Sequence, residues 1–115
     1  MKLVYVAGPF SAMTREGVDA NIARAEDIGI KVAELGAMPV IPHANTSRPD
    51  FEHVQPYPFW IAGTLALLRR CDAMILTAYW EKSFGARGEK AEAELLGIPV
   101  FFTVDALRAW LAGES

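Results

Sequence analysis

The chain has 115 residues, 52% hydrophobic and 22% charged, with a formal net charge of −3. That length suits one domain and that apolar content supplies a core, which excludes a disordered chain; without a Lys/Arg run, non-specific binding to a nucleic-acid backbone is disfavoured. No apolar run approaches the ~20 residues that span a bilayer, and the one cysteine, Cys71, cannot form an internal bridge, which suits a reducing cytoplasm.

Leu3 to Ala7 is a β-branched and aromatic run halted by Gly8-Pro9. It reads as a buried strand rather than a signal peptide, because no small-residue cleavage site follows. Ile22, Ala25, Ile28/Gly29, Val32, Ala33 and Leu35 recur at helical spacing, predicting a helix from about Val18 to Leu35 that Gly36 stops. Met38 to Pro42 reads as a short strand, with Pro39 expected at its start and Pro42 at its end, where a missing N–H costs least. His43 to Pro58 has no periodicity and reads as a long loop, a kind more often functional than idle.

Phe59 to Arg70 follows as an amphipathic helix, with Ile61, Leu65 and Leu68 expected inward and Arg69 and Arg70 complementing the dipole at its end. Ala73 to Leu76 is a third strand, Trp80 to Gly85 a loop, and Ala86 to Leu96 a helix closed by Gly97. Ile98 to Phe102 is a fourth strand and Val104 to Leu111 a last helix. Strict β-α alternation predicts a single α/β domain over residues 1–115. Its centre should be a doubly wound, flavodoxin- or Rossmann-like parallel sheet of four to five strands with helices on both faces. Ligands of such sheets sit beyond the carboxyl ends of the strands, here the loops Gly8 to Arg15, His43 to Pro58 and Ala78 to Gly88.

Chemistry concentrates in the segment from Trp80 to Glu89, which follows a strand and opens a helix, a geometry that favours an anion. Ser83 can cap that helix or hydrogen-bond a ligand oxygen, while Gly85 and Gly88 let a ligand approach the backbone. Glu89 falls on a helical wheel with Ala86, Ala93 and Leu96, so a carboxylate interrupts an apolar stripe. One reading makes it a ligand-facing group; the other gives it only the favourable end of the helix dipole. Arg87, and less so Arg15, could meet a phosphate, and His43 ends the second strand where a ligand could reach it. Trp60 and Trp80 flank the expected crevice, and Asp72 is expected to be structural. Neither His43 nor His53 has ligands at metal spacing, so no metal and no cofactor is expected; no phosphate-loop lysine or dinucleotide fingerprint is present either.

Tyr5-Val6-Ala7-Gly8-Pro9, the helix near Asn21, Gly36 with Pro39-Val40-Ile41-Pro42-His43, Cys71-Asp72-Ala73-Met74-Ile75, and Ser83-x-Gly85-x-x-x-Glu89 resemble the nucleoside 2-deoxyribosyltransferase-like family. That family includes deoxynucleoside 5′-monophosphate N-glycosidases. The match looks like a short branch of unknown function, covers almost the whole chain and is strongest from Asp72 to Glu89. The resemblance implies that Glu89 is the nucleophile and Tyr5 its neighbouring tyrosine, at the end of the first strand. It implies too that Gly8, with Pro9, brings the first loop to the sugar and that Ser83 binds a 5′-phosphate. One departure stands out: the family's catalytic aspartate aligns with Thr64, which cannot donate a proton at neutral pH, leaving His53, Asp50 or Glu52 as candidates.

The expected function is therefore an N-glycosidase or deoxyribosyltransferase acting on (deoxy)nucleoside 5′-monophosphates. A binding or sensing module without turnover is the alternative, and a purely structural domain a third reading. The expected partner is a small nucleotide or nucleoside, with no nucleic-acid polymer and no membrane, in a homodimer or larger homo-oligomer.

Overall fold

The computed structural model describes residues 1–114, leaving out the side chain of Glu114. Four strands, β1 (Leu3–Ala7), β2 (Met38–Val40), β3 (Ala73–Leu76) and β4 (Val100–Phe101), form one parallel sheet in the order β2-β1-β3-β4. The register sets Tyr5 opposite Val40 on one side and Met74 on the other, so β1 and β3 are central. This is the doubly wound arrangement that alternation predicts, with four strands.

Five helices surround the sheet: α1 (Arg15–Glu34), α2 (Pro42–Asn45), α3 (Tyr57–Arg69), α4 (Phe84–Leu95) and α5 (Val104–Glu114). Alternation along β1 sends Val4 and Val6 to one face, where they pack with Ala25 and Val32 of α1, Ile75, and Leu107 of α5. Tyr5 and Ala7 face the other way, against Leu68 and Cys71 at the end of α3, Met74, Leu76 and Ala93 of α4. Helices thus cover both faces. The order of winding reverses between the parallel strands β1 and β3, and beyond the carboxyl ends of strands at such a switch point these sheets bind ligands.

The boundaries move in instructive ways. Helix α1 begins three residues before the expected Val18, because Thr14 adopts an extended backbone and accepts a hydrogen bond from the Gly17 N–H at 3.0 Å. Pro39 is not at the start of β2 but in its middle, tolerated because β2 is an edge strand. Pro42 opens α2 rather than ending the strand, since proline fits a first helical turn. The expected loop from His43 to Pro58 therefore holds α2, a 3-10 turn over Pro49–His53 and the start of α3. Helix α4 likewise starts at Phe84, after a 3-10 turn over Trp80–Lys82, and α5 runs on to Glu114. Strand β4 is only two residues long, shorter than the five expected.

Gly36 and Gly97 end α1 and α4 at φ of +88° and +75°, a left-handed conformation that glycine adopts without penalty. Asp72 is structural: its carboxylate accepts from the Leu3 N–H at 2.8 Å and its own N–H donates to the Leu3 carbonyl, clamping β3 to β1. Among the described residues, no helix is long and apolar enough to cross a membrane.

Candidate active site

Tyr5 is the middle residue of β1, not its last, and is wholly buried on the α3/α4 face. A buried phenol needs a partner. It finds one 84 residues away, donating its O–H to Oε2 of Glu89. Helix α4 delivers that carboxylate. Its first turn is fixed by Ser83, whose hydroxyl oxygen accepts the Ala86 N–H at 3.1 Å, and Glu89 follows in the second turn. That position weakens the helix-dipole reading of Glu89. Dipole support fades beyond the first turn, and the carboxylate is turned onto a buried phenol instead of toward the helix end. Ala86 and Ala93 flank it as expected, whereas Leu96 is 46% exposed and lies outside the buried stripe.

Burial, partly offset by the Tyr5 hydrogen bond, pushes the Glu89 carboxyl up to about 7. Burial and the Glu89 charge also hold the Tyr5 phenol far above its ordinary range, so it stays a proton donor at every physiological pH. The Thr64 hydroxyl, from α3, acts on the same phenol against the rise that burial causes, and it donates to the Ile61 carbonyl at 3.0 Å. Glu89, Tyr5 and Thr64 thus form one polar cluster carried by α4, β1 and α3. Thr64 was legible in the sequence only as a departure from a resemblance; its contact with Tyr5 is a product of the fold.

The first loop is held from two sides. His43, 6% exposed, points its Nε2 at the carbonyls of Gly8 and Pro9, each at 2.9 Å. Two carbonyl acceptors fix the proton on Nε2, and burial lowers the imidazole below its ordinary range, so the ring is neutral. On the other side Asn21 donates to the Phe10 carbonyl at 3.0 Å. Gly8 itself is demanded by its neighbour in the fold: a Cβ there would come within 1.8 Å of the Thr77 hydroxyl. His43 and Pro9 therefore meet each other, and His43 acts on the loop from beneath.

The third loop carries the remaining residues. Gly85 and Arg87 are exposed in the first turn of α4, the Arg87 guanidinium 6.0 Å from the Phe84 ring. A Cβ on Gly85 would meet nothing closer than the Ser83 hydroxyl at 4.0 Å, so the protein leaves open space there. Sequence reasoning missed Tyr79, which holds φ at +68° with Arg24 and Lys82 5.2 and 5.7 Å from its ring centre. Arg15, by contrast, is engaged by Asp19 at 2.9 Å. Of the candidate replacement acids, Asp50 pairs with Arg48 at 2.8 Å, and Glu52 and His53 are exposed on the 3-10 turn. Cys71 is a free, buried thiol pushed up to about 11 by burial. Among the described residues no cluster of His, Cys, Asp or Glu could hold a metal ion.

Residues 2–102 match the family model described as "domain of unknown function (DUF4406)". Among solved structures, the chain is similar to a 2-deoxyribosyltransferase from the psychrotolerant bacterium Bacillus psychrosaccharolyticus. The TM-score is 0.60 at 22% identity, covering 85% of this chain and 69% of that one. At that identity the likeness establishes the fold. No curated protein matches the chain.

Proposed function

The chain belongs to the DUF4406 family, and from that premise we propose that it cleaves or transfers the N-glycosidic bond of (deoxy)nucleoside 5′-monophosphates. One observation carries the reading: a half-buried carboxylate, Glu89, hydrogen-bonded to the buried phenol of Tyr5 on the central strand β1 of a doubly wound sheet. The fold shared with a 2-deoxyribosyltransferase is consistent with it.

In this mechanism the ionised Glu89 oxygen attacks the anomeric carbon as the base departs, stabilising the oxocarbenium character that builds there. Tyr5 keeps the carboxylate oriented and shares its charge. The acceptor, water or a second base, then releases the sugar. The 5′-phosphate lies over the first turn of α4, where Ser83, the free N–H groups and Arg87 favour an anion and Gly85 leaves room. Gly8 and Pro9 border the sugar, and His43 sets the height of that loop. We also propose that the domain spans residues 1–115, that it works in the reducing cytoplasm as a homodimer or larger homo-oligomer, and that it requires no cofactor.

The test is chromatographic detection of free base after hours with a panel of nucleoside and deoxynucleoside 5′-monophosphates. Base release that falls at least 1,000-fold in Glu89→Gln is expected. Release that survives this change removes Glu89 as nucleophile. A second reading, a binding module without turnover, is favoured by the lack of a proton donor at Thr64. Saturable calorimetric binding with no base released from any substrate would select it.

A further inference from the structure

Two of the loops that border the proposed site are joined to each other by side chains of α1. Asn21 donates its amide N–H groups to the carbonyls of Phe10 at 3.0 Å and of Ser11 at 3.4 Å, both in the first loop. The other end of that amide, Oδ1, accepts from the Arg24 guanidinium at 2.8 Å. The amide cannot be turned round, because carbonyls only accept and a guanidinium only donates. Arg24, three residues on along α1, therefore sets the direction in which Asn21 grips the loop. The same guanidinium lies over the Tyr79 ring, 5.2 Å from its centre. Tyr79 belongs to the third loop, beyond the end of β3 and just before the 3-10 turn that leads to Ser83.

Tyr79 holds this place against a backbone penalty. Its φ of +68° lies in the left-handed region, which disfavours an aromatic residue; among the described residues the other positive φ values belong to glycines. The ring gains two cation contacts in that conformation, since Lys82 of the 3-10 turn also lies 5.7 Å from its centre. A line of contacts thus runs from Phe10 and Ser11 through Asn21 and Arg24 to Tyr79, from the first loop to the third.

Resting on the glycosidic reading above, we propose that Arg24 and Tyr79 are positioning residues: they fix the spacing between the loop that borders the sugar and the turn over which the 5′-phosphate lies. A substrate that spans both places gains from that fixed spacing, because its anomeric carbon is held against Glu89 before the bond breaks. A free nucleoside reaches only the first loop and gains less, since His43 still holds Gly8 and Pro9 from beneath. Arg24 and Tyr79 thus favour phosphorylated substrates through the two loops rather than by contact with the phosphate.

Matched substrates test this on the full chain: the deoxynucleoside 5′-monophosphate of the panel above that releases most base, against its free deoxynucleoside. Arg24→Met keeps the aliphatic stem and loses the guanidinium. Its kcat/KM should fall about 20-fold or more for the monophosphate and about threefold or less for the free nucleoside. Arg24→Lys, able to make one of the two contacts at a time, should lie between native and Arg24→Met. Tyr79→Gly meets the positive φ without penalty, so its thermal midpoint should be retained while its monophosphate loss matches that of Arg24→Met. Asn21→Ala combined with Tyr79→Gly should lose far less than the product of the two single losses, because each breaks the same tie. Equal losses for both substrates, full monophosphate activity in Tyr79→Gly, or losses that multiply in the double variant would each overturn the proposal and leave the glycosidic reading standing. A native chain that releases no base from any substrate would remove that reading and this one together.

Discussion

Glu89 holds a proton in the folded chain that its unfolded counterpart, with a carboxyl near 4.5, has already released at pH 6. The sign follows. The folded state binds more protons between about pH 4.5 and 7, so the stability linked to this group is complete below that window and declines as pH rises through it. The gap corresponds to about 3 kcal/mol. Urea midpoints should therefore fall between pH 5 and 8 in the native sequence. In Glu89→Gln the slope from this group vanishes, and at pH 8 the variant should be the more stable protein although inactive. A parallel decline in both would place the titration elsewhere. Ser83 supports a similar separation. Ser83→Ala loses the acceptor for the Ala86 N–H and should cost about 1 kcal/mol. Ser83→Asp keeps an acceptor, and so the helix start, but sets a negative charge where the phosphate is proposed. Retained stability with KM raised at least tenfold for 5′-monophosphates, and little change for the free nucleosides, is the expected pattern.

Elements were legible wherever one residue type had one physical job. Gly36 and Gly97 announced helix ends, and they hold the left-handed backbone that makes glycine the natural choice. Gly97→Ala, whose new Cβ would meet nothing within 4 Å, should cost only that backbone penalty, about 1 kcal/mol, with base release unchanged. Gly8 is the contrasting case. The resemblance gives it the task of bringing the first loop to the sugar, and the fold needs it as well, because β1 and β3 run side by side and bring the Thr77 side chain against it. Gly8→Ala should therefore destabilise by about 2 kcal/mol or more in thermal unfolding, the range of an overpacked core. Adding Thr77→Ala should recover part of the loss, and no recovery would mean that the backbone, not this contact, demands glycine. Boundaries were less legible because caps and prolines act through geometry that periodicity does not carry. Thr14 begins α1 before any apolar residue repeats, and Pro42 looks the same at a strand's end as at a helix's start.

At the scale of the molecule, the parallel, doubly wound sheet followed from alternation, whereas the polar cluster did not. Tyr5, Thr64 and Glu89 are far apart in sequence, and only the packing of α3 and α4 on one face brings them together. Helix α3 shows the same limit from the other side. Its sequence is apolar enough to predict an inward stripe, but only Leu68 is fully buried, while Tyr57, Phe59, Ile61 and Leu67 are exposed. Phe51 and Val54 on the preceding turn extend this apolar surface. Large apolar side chains exposed in this number on one helix suit an interface with another chain. The proposed homo-oligomer accounts for them, because α3 also carries Thr64 and a neighbour seated there would close the cluster from solvent. Light scattering should give at least twice the monomer mass. Phe59→Glu combined with Ile61→Glu, both exposed in the single chain, should yield a folded monomer by circular dichroism whose base release falls at least tenfold. A native chain that is monomeric at micromolar concentration would leave the apolar face of α3 without that explanation, and full activity in the monomeric variant would show that each site is complete on its own.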